Sequence, residues 1–384
     1  MSPDVSAPVV APGAPPGIAP GASPGVAHAL ARARLDALWA RGTQFLGCEF
    51  GILGGAMTWV SERHLVAAIS NAGGFGVIAC GAMGPDQLAA EIEATQALTR
   101  RPFGVNLITM HPELEALIQV CLAARVTHIV LAGGVPHVRT ASLVKEGGAR
   151  LICFAPALVF ARRLVKAGAD ALVIEGSEAG GHIGPVSLTV LAQEILPHIR
   201  EVPVFVAGGL GRGEAILAFL EMGASGAQLG TRFAASSESI AHPRFKEAFV
   251  RAAARDAVPS IQLDDRFPVI PVRGLANAGT HHFLEHQRET LARFQAGTLT
   301  RQEAQLAIEH FWAGALKRAV LEGDIEQGSV MAGQSVGMVT AVQPTAAIIA
   351  ELVDQATDAL AARQGTLSPQ RNGFEQGSEC EGAG

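Results

Sequence analysis

Short β-branched apolar runs recur along the chain, and each is followed by a stretch with Ala and Leu at helical spacing. Eight runs are present, and their starts lie about 20–32 residues apart, the length of a strand, a helix and two short loops. The predicted strands are Phe50–Gly54, Phe75–Cys80, Phe103–Leu107, Thr127–Leu131, Leu151–Phe154, Ala171–Glu175, Val202–Ala207 and Gly226–Gly230.

Eight βα units close into a barrel. The sequence therefore predicts an α/β fold, a (β/α)₈ TIM barrel with a helical insertion or cap after strand eight. A doubly wound sheet is the competing topology, but its Gly-rich dinucleotide signature should follow the first strand and open a helix. Here the first strand leads into GGAMTWVS, which does not match that signature.

The intervening segments carry helix signals. Ser61 is placed to cap a helix that Gly73–Gly74 would end, and Phe160–Lys166 and Glu214–Met222 each lead to a glycine. Further helices are expected at Thr300–Leu321 and Thr345–Ala362.

Five segments follow from this pattern. Residues 1–45 are interpreted as a disordered extension, because 1–26 are almost entirely Pro, Ala, Gly, Ser and Val. The barrel is expected at 46–235, the insertion or cap at 236–310, a C-terminal segment returning to the barrel at 311–364, and a disordered tail at 365–384.

The composition of the chain excludes some classes of function. With 29 basic and 35 acidic residues and a net charge of −6, the chain lacks the basic footprint of a nucleic-acid binder, so a small-molecule substrate is expected. No apolar stretch is long enough for a bilayer. The five cysteines, without a CxxC pair, are interpreted as reduced thiols, which predicts a cytoplasmic protein. The oligomeric state is left open, a homodimer included.

Barrel enzymes place their chemistry at the C-terminal ends of the strands. Gly208–Gly209 after strand seven and Gly230–Thr231 after strand eight fit a phosphate site formed by backbone N–H groups, although tight turns alone would also use glycine. His182 follows strand six in a Gly-rich loop and is the candidate catalytic residue, because imidazole exchanges protons near neutral pH. His137 on the same rim is its rival.

Two other groups of polar residues have a structural interpretation as well as a functional one. Glu175, which ends strand six, could bond a cofactor or satisfy loop amides. His281 and His282 with Glu285 and His286 fit a solvated helix better than a metal site, and no metal is expected.

The segments GGAMTWVS (54–61), SNAGGFGVI (70–78), PFGVNL (102–107), EGSEAGGHIG (175–184), PVFVAGGLG (203–211), GAQLGTRF (226–233), AHPRFKEA (241–248) and GSVMAGQSVG (328–337) resemble the nitronate monooxygenase family. Its close relative is the FMN-dependent enoyl-acyl carrier protein reductase II. The resemblance covers roughly residues 46–355.

The resemblance implies FMN as cofactor and His182 as the residue that acts on substrate. The residues expected at the cofactor are Gly55, Ala56, Met57, Asn106, Glu175, Gly180, Gly181, Gly208, Gly209, Gln228, Leu229, Gly230, Thr231, Met331, Gly333 and Gln334. Many nitronate monooxygenases carry Gln where this chain has Glu175, and Glu there is closer to the enoyl reductase branch. Leu53 also stands where many members have Gln before the turn.

Three functions are consistent with this pattern. The first is oxidation of alkyl nitronates or nitroalkanes with O₂ to carbonyl compounds and nitrite. The alternative is reduction of an enoyl thioester of an acyl carrier protein or CoA, with NAD(P)H as reductant, which needs no GxGxxG motif in such barrels. A flavin-binding protein without catalysis is the third, and an intact His182 argues against it.

Overall fold

The computed structural model describes residues 24–81, 83–264 and 270–366. Eight parallel strands form the central sheet: β1 (Ile52–Gly54), β2 (Val77–Ala79), β3 (Gly104–Ile108), β4 (His128–Ala132), β5 (Arg150–Phe154), β6 (Ala171–Glu175), β8 (Val204–Ala207) and β9 (Gly226–Leu229). Three shorter strands form a separate small sheet: β7 (Gly181–His182), β10 (Ala257–Pro259) and β11 (Val272–Leu275).

The central sheet curls into a barrel. Its strand order is β1-β9-β8-β6-β5-β4-β3-β2, with every pair parallel. The two end strands meet at Phe75, whose N–H donates to the Ile52 carbonyl at 2.9 Å and whose carbonyl accepts from the Gly54 N–H at 2.9 Å. The predicted (β/α)₈ barrel is confirmed, and each predicted strand overlaps an observed one.

Helices cover the outside of the barrel: α2 (Arg63–Asn71), α3 (Pro85–Leu98), α4 (Leu114–Ala123), α5 (Val138–Glu146), α6 (Leu158–Lys166), α7 (Leu188–Ile195) and α8 (Gly213–Glu221). A short helix α9 (Thr231–Ala234) follows the last strand, and α10 (Pro243–Arg251) comes next. Each helix buries one face against the outward side chains of the strands. Together these residues form the largest of the hydrophobic cores.

The predicted extension at 1–45 is wrong for its second half, because Pro24–Leu46 form helix α1. Ala31, Leu35 and Trp39 recur every four residues and are fully or almost fully buried. That stripe packs on α8 and on the last helix, α13 (Thr345–Thr366), and its burial compensates the entropy of ordering. Residues 1–23 lie outside the described residues.

The C-terminal tail was expected to start at residue 365. Helix α13 instead continues through Thr366, two residues beyond that boundary. Residues 367–384, including Cys380, lie outside the described part of the chain. The other four cysteines, Cys48, Cys80, Cys121 and Cys153, are free thiols.

The cap after β9 contains helices α11 (Ala278–Gln295) and α12 (Arg301–Lys317) with strands β10 and β11. It has a small core of its own, formed by Val272, Phe283, Ala304, Ile308 and Trp312. The predicted boundary at residue 310 falls inside α12, so the cap continues to the π-helical turn Arg318–Glu322. None of the helices in the described ranges combines the length and the hydropathy of a membrane-spanning segment.

The end of α1 closes the N-terminal side of the barrel. Phe45 and Leu46 pack against the inward side chains of the strands. The Phe45 carbonyl accepts from the Arg150 guanidinium and from His128 Nε2, the latter at 2.9 Å. His128 is 3% exposed, and its burial lowers the pKa of the imidazole to about 4.

This burial predicts a pH-dependent stability. Between pH 6.5 and pH 4 the unfolded chain binds a proton at His128 that the folded protein does not, so the free energy of unfolding falls as the pH falls. We expect the wild type to lose about 2 kcal/mol more than the H128Q variant between pH 7 and pH 4.5, measured by urea denaturation. Equal losses in the two proteins would contradict the assignment.

Candidate active site

Three polar side chains point into the mouth of the barrel. Side chains alternate along a strand, and in β6 Ala171 and Val173 face the interior, so Glu175 faces it as well. By the same alternation Asn106 in β3 lies between the outward residues Val105 and Leu107, and Gln228 lies between Ala227 and Leu229. All three stand at or near the C-terminal ends of their strands, where the sequence predicted the site.

These polar groups have almost no protein partners. The Asn106 Nδ2 donates to the Val130 carbonyl at 3.5 Å, the longest distance that still counts as a hydrogen bond. The Glu175 carboxyl and the Gln228 amide form no hydrogen bond with other described residues. Burial raises the pKa of Glu175 to about 7. Asn106 is buried, and Glu175 and Gln228 are partly buried. Polar side chains with so few protein partners can bond a polar ligand at the mouth.

Room for such a ligand comes from small residues. Gly55 follows β1, its N–H donates to the Leu229 carbonyl at 2.8 Å, and a Cβ there would lie 3.6 Å from Gln228 Nε2. Ala207, which ends β8, is also small and faces inward. Leu229 presents only its backbone to the mouth, because its side chain packs among the helices.

The loop after β1 is held by Ser61. Its hydroxyl donates to the Gly55 carbonyl at 2.8 Å and accepts from the Met57 N–H at 3.0 Å. The prediction that Ser61 caps α2 is wrong. The cap is Glu62, whose carboxylate accepts from the N–H groups of His64 and Leu65. Ser61 instead fixes the loop that places Met57, whose Sδ would lie 3.4 Å from a Cβ at Gly230.

We expect S61A to lower the free energy of unfolding by about 1–3 kcal/mol, because it removes the hydrogen bonds of a buried carbonyl and a partly buried N–H. Ser187 provides the control, since it precedes α7 but makes no side-chain capping bond. Chemical denaturation of S61A and S187A checks this, and equal destabilisation of both would count against the role of Ser61.

The loops after β8 and β9 offer backbone donors. Gly208 and Gly209 have φ angles of +96° and +69°, and a Cβ on Gly208 would lie 2.9 Å from the Gly176 carbonyl oxygen, so glycine is required there. The N–H groups of Gly208, Gly209, Gly230 and Thr231 donate no hydrogen bond within the described ranges. Four free N–H groups on two adjacent strand ends can bind an anion.

The C-terminal segment joins these loops. The Gly333 N–H donates to Thr231 Oγ1 at 3.0 Å, and the Gln334 N–H donates to the Glu178 carbonyl at 2.9 Å. A Cβ on Gly180 would lie 2.6 Å from the Gly333 nitrogen, so the two backbones are in direct contact. The structure thus brings together residues that are 102 to 156 positions apart in the sequence.

His182 lies on the cap side of the mouth. It forms β7 with Gly181, and this strand pairs antiparallel with β11 through Val272 opposite His182. Its side chain is exposed. Met331 lies beside this strand, with Sδ 3.6 Å from a Cβ placed on Gly181, and forms a bridge to Gly274. The candidate catalytic residue is therefore positioned by the cap as well as by β6.

The other histidine candidates have structural roles. His137 caps α5, with its ring nitrogen Nδ1 accepting from the Arg139 N–H at 3.2 Å. His286 stacks on Phe311 with ring centroids 5.0 Å apart. No group of three or more His, Cys, Asp or Glu in the described chain could hold a metal ion.

Sequence reasoning predicted Trp59 beside the mouth with Met57 and Met331, but it missed Arg273. Arg273 in β11 is 8% exposed and contacts the loop after β6. Trp59 has a φ of 66°, which is uncommon for a bulky residue, and the Lys317 ammonium lies 5.3 Å from its ring centroid. The spacing of the sequence carries no signal for these contacts, because each joins segments from separate parts of the chain.

The chain is similar to several known proteins. The family model "Nitronate monooxygenase" matches residues 40–118 and 112–355. FabK from Thermotoga maritima has 35% sequence identity and a TM-score of 0.77, covering 85% of this chain and 99% of that chain. Nitroalkane oxidase from Streptomyces ansochromogenes has 27% identity and a TM-score of 0.68, covering 84% of this chain and 99% of that chain.

A curated relative from Mycobacterium tuberculosis is (3aS,4S,5R,7aS)-5-hydroxy-7a-methyl-1-oxo-octahydro-1H-indene-4-carboxyl-CoA dehydrogenase. It is 30% identical over 322 residues, which is 77% of this chain and 90% of the relative.

The fold and site define a barrel oxidoreductase. The chain belongs to the nitronate monooxygenase family.

Proposed function

We propose that this protein is an FMN-dependent oxidoreductase that oxidises alkyl nitronates or nitroalkanes with O₂ to carbonyl compounds and nitrite. The observation that carries the proposal is a set of polar groups at the mouth with few or no described protein partners: four backbone N–H groups at the ends of β8 and β9, and the side chains of Asn106, Glu175 and Gln228. Family membership supports it.

These groups fit FMN. The N–H groups of Gly208, Gly209, Gly230 and Thr231 would hold the phosphate, because backbone donors on adjacent barrel loops suit a doubly charged anion. Asn106, Glu175 and Gln228 would bond the polar atoms of the ribityl chain and ring. When bound, FMN supplies the redox chemistry that amino-acid side chains lack.

His182 would accept or hold the proton that the substrate loses. An imidazole at the edge of the mouth can accept the acidic α-proton of a nitroalkane, or hold the nitronate once it is formed. The side chains of Met57 and Met331 border the same space and provide an apolar, adaptable wall. Because the chain contains no Tyr, no phenol can share this work.

A second function is reduction of an enoyl thioester, with NAD(P)H as reductant. Two observations favour it. Glu175 is a carboxyl whose pKa burial raises to about 7, so at neutral pH a large share of it is a neutral acid that can donate a hydrogen bond. FabK and the CoA dehydrogenase are 35% and 30% identical to this chain.

Anaerobic mixing separates the two functions. The purified flavoprotein is mixed with 2-nitropropane or its nitronate, and separately with NADH followed by crotonyl-CoA, while flavin absorbance is recorded. The proposal predicts bleaching by the nitro compound or its nitronate. Bleaching by NADH alone, with colour restored by crotonyl-CoA, would support thioester reduction, and bleaching by neither would contradict both.

The H182A variant tests the role of the imidazole. We expect it to keep its flavin and to lose at least about 10²-fold in turnover of nitroalkanes, the lower range for a positioned general base. H137A is the matched control, since it removes another rim imidazole that only caps α5. Undiminished turnover in H182A, or an equal loss in H137A, would overturn the assignment.

A further inference from the structure

The loop that carries His182 is anchored at both of its ends by one residue of the cap, Arg273. Its backbone pairs with Gly181, next to His182 at the end of the loop. Its side chain reaches the start of the loop, where Nε donates to the Ser177 carbonyl at 2.9 Å. No other described residue binds both ends of the 177–181 segment in this way.

The same guanidinium also binds the cap. Its Nη1 donates to the Ala257 carbonyl in β10 at 2.6 Å. The planar fork therefore fixes the distance and angle between the loop after β6 and the small sheet. Lysine could not reproduce this, since it is a single point charge without a fixed fork.

Among the described residues, none forms an ion pair with Arg273. The side chain is 8% exposed, and its guanidinium donates to two backbone carbonyls. Burial lowers its pKa, and the neighbouring Glu178 opposes that shift. The Glu178 carboxylate itself accepts from the Leu188 N–H at the start of α7. Burying a guanidinium without an ion-pair partner lowers the stability of the fold. We therefore expect the hydrogen bonds of Arg273 to fix the position of the loop rather than to stabilise the protein.

The loop needs such a constraint. Gly181 has a φ of +76°, and the Gly208 and Gly209 turn packs against Gly176 and Glu178 from the other side. The Ile183 N–H donates to the Pro271 carbonyl at 2.9 Å, which extends the pairing with the cap beyond β7. Backbone pairing fixes the strand that carries His182. The Arg273 side chain ties that strand to Ser177 at the end of β6, and the Ser177 N–H donates to the Val186 carbonyl at 2.8 Å.

We propose that Arg273 is a positioning residue for His182: by clamping both ends of the 177–181 loop against the cap, it sets where the imidazole stands over the barrel mouth. The proposal rests on the role of His182 in the proposed function. A misplacement of about 1 Å can cost about 10²-fold in rate, so loss of the clamp should lower kcat more than it changes KM.

The test uses the flavin-loaded protein labelled with ¹³Cε1-histidine. The His182 resonance is assigned by its disappearance in H182A. In R273K we expect that resonance to shift or broaden, kcat to fall about 10²-fold, KM to change by less than about 3-fold, and bound flavin to be retained. R273Q is measured in parallel in case the lysine variant does not fold.

R150K is the matched control. Arg150 also donates to a backbone carbonyl, that of Phe45, but at the opposite end of the barrel. It should leave the His182 resonance and kcat unchanged. Folded R273K and R273Q with wild-type His182 resonance and wild-type kcat would overturn the proposal, and so would an equal effect of R150K. If no nitro compound or thioester is turned over, the proposed function fails, and the resonance alone decides the role of Arg273.

Discussion

Alternation of side chains across the strands of a closed barrel governs the rest of this structure. Once Phe75 joins β1 to β2, every second residue of each strand must face a narrow interior that water cannot fill. Apolar residues fill its lower layers, with Phe205 and Val173 among them. At the last inward positions of three strands stand the polar residues Asn106, Glu175 and Gln228, which can bond a ligand at the mouth.

The mouth is completed by segments that arrive late in the chain. Thr231, which follows the last barrel strand, accepts from Gly333, and Glu178 in the loop after β6 accepts from Gln334. These bonds hold the C-terminal segment against two strand ends. The cap is inserted in the chain between β9 and this C-terminal segment. Its strand β11 therefore lies beside His182, and the position of the imidazole depends on residues about 90 positions away.

Much of the fold could be read from local pattern, because each βα unit repeats a period-two run followed by a helical stretch. The eight strands were predictable for that reason, and so were Asn106, Glu175 and Gln228 at their ends. Helix α1 was missed although Ala31, Leu35 and Trp39 form a clear stripe, since the adjoining Pro- and Ala-rich composition obscured it. The assignment of Ser61 as a cap failed because a carboxylate one residue later was free to take that role.

The sequence by itself determined the barrel, the polar residues at the strand ends and the family, because these depend on spacing and on short contiguous motifs. Only the tertiary structure decided how His182 is held, that Arg273 clamps its loop, and that His137 caps a helix. The physical reason is that these roles depend on hydrogen bonds between distant segments, whose partners are chosen by the packing of the cap on the barrel and leave no periodic mark in the sequence.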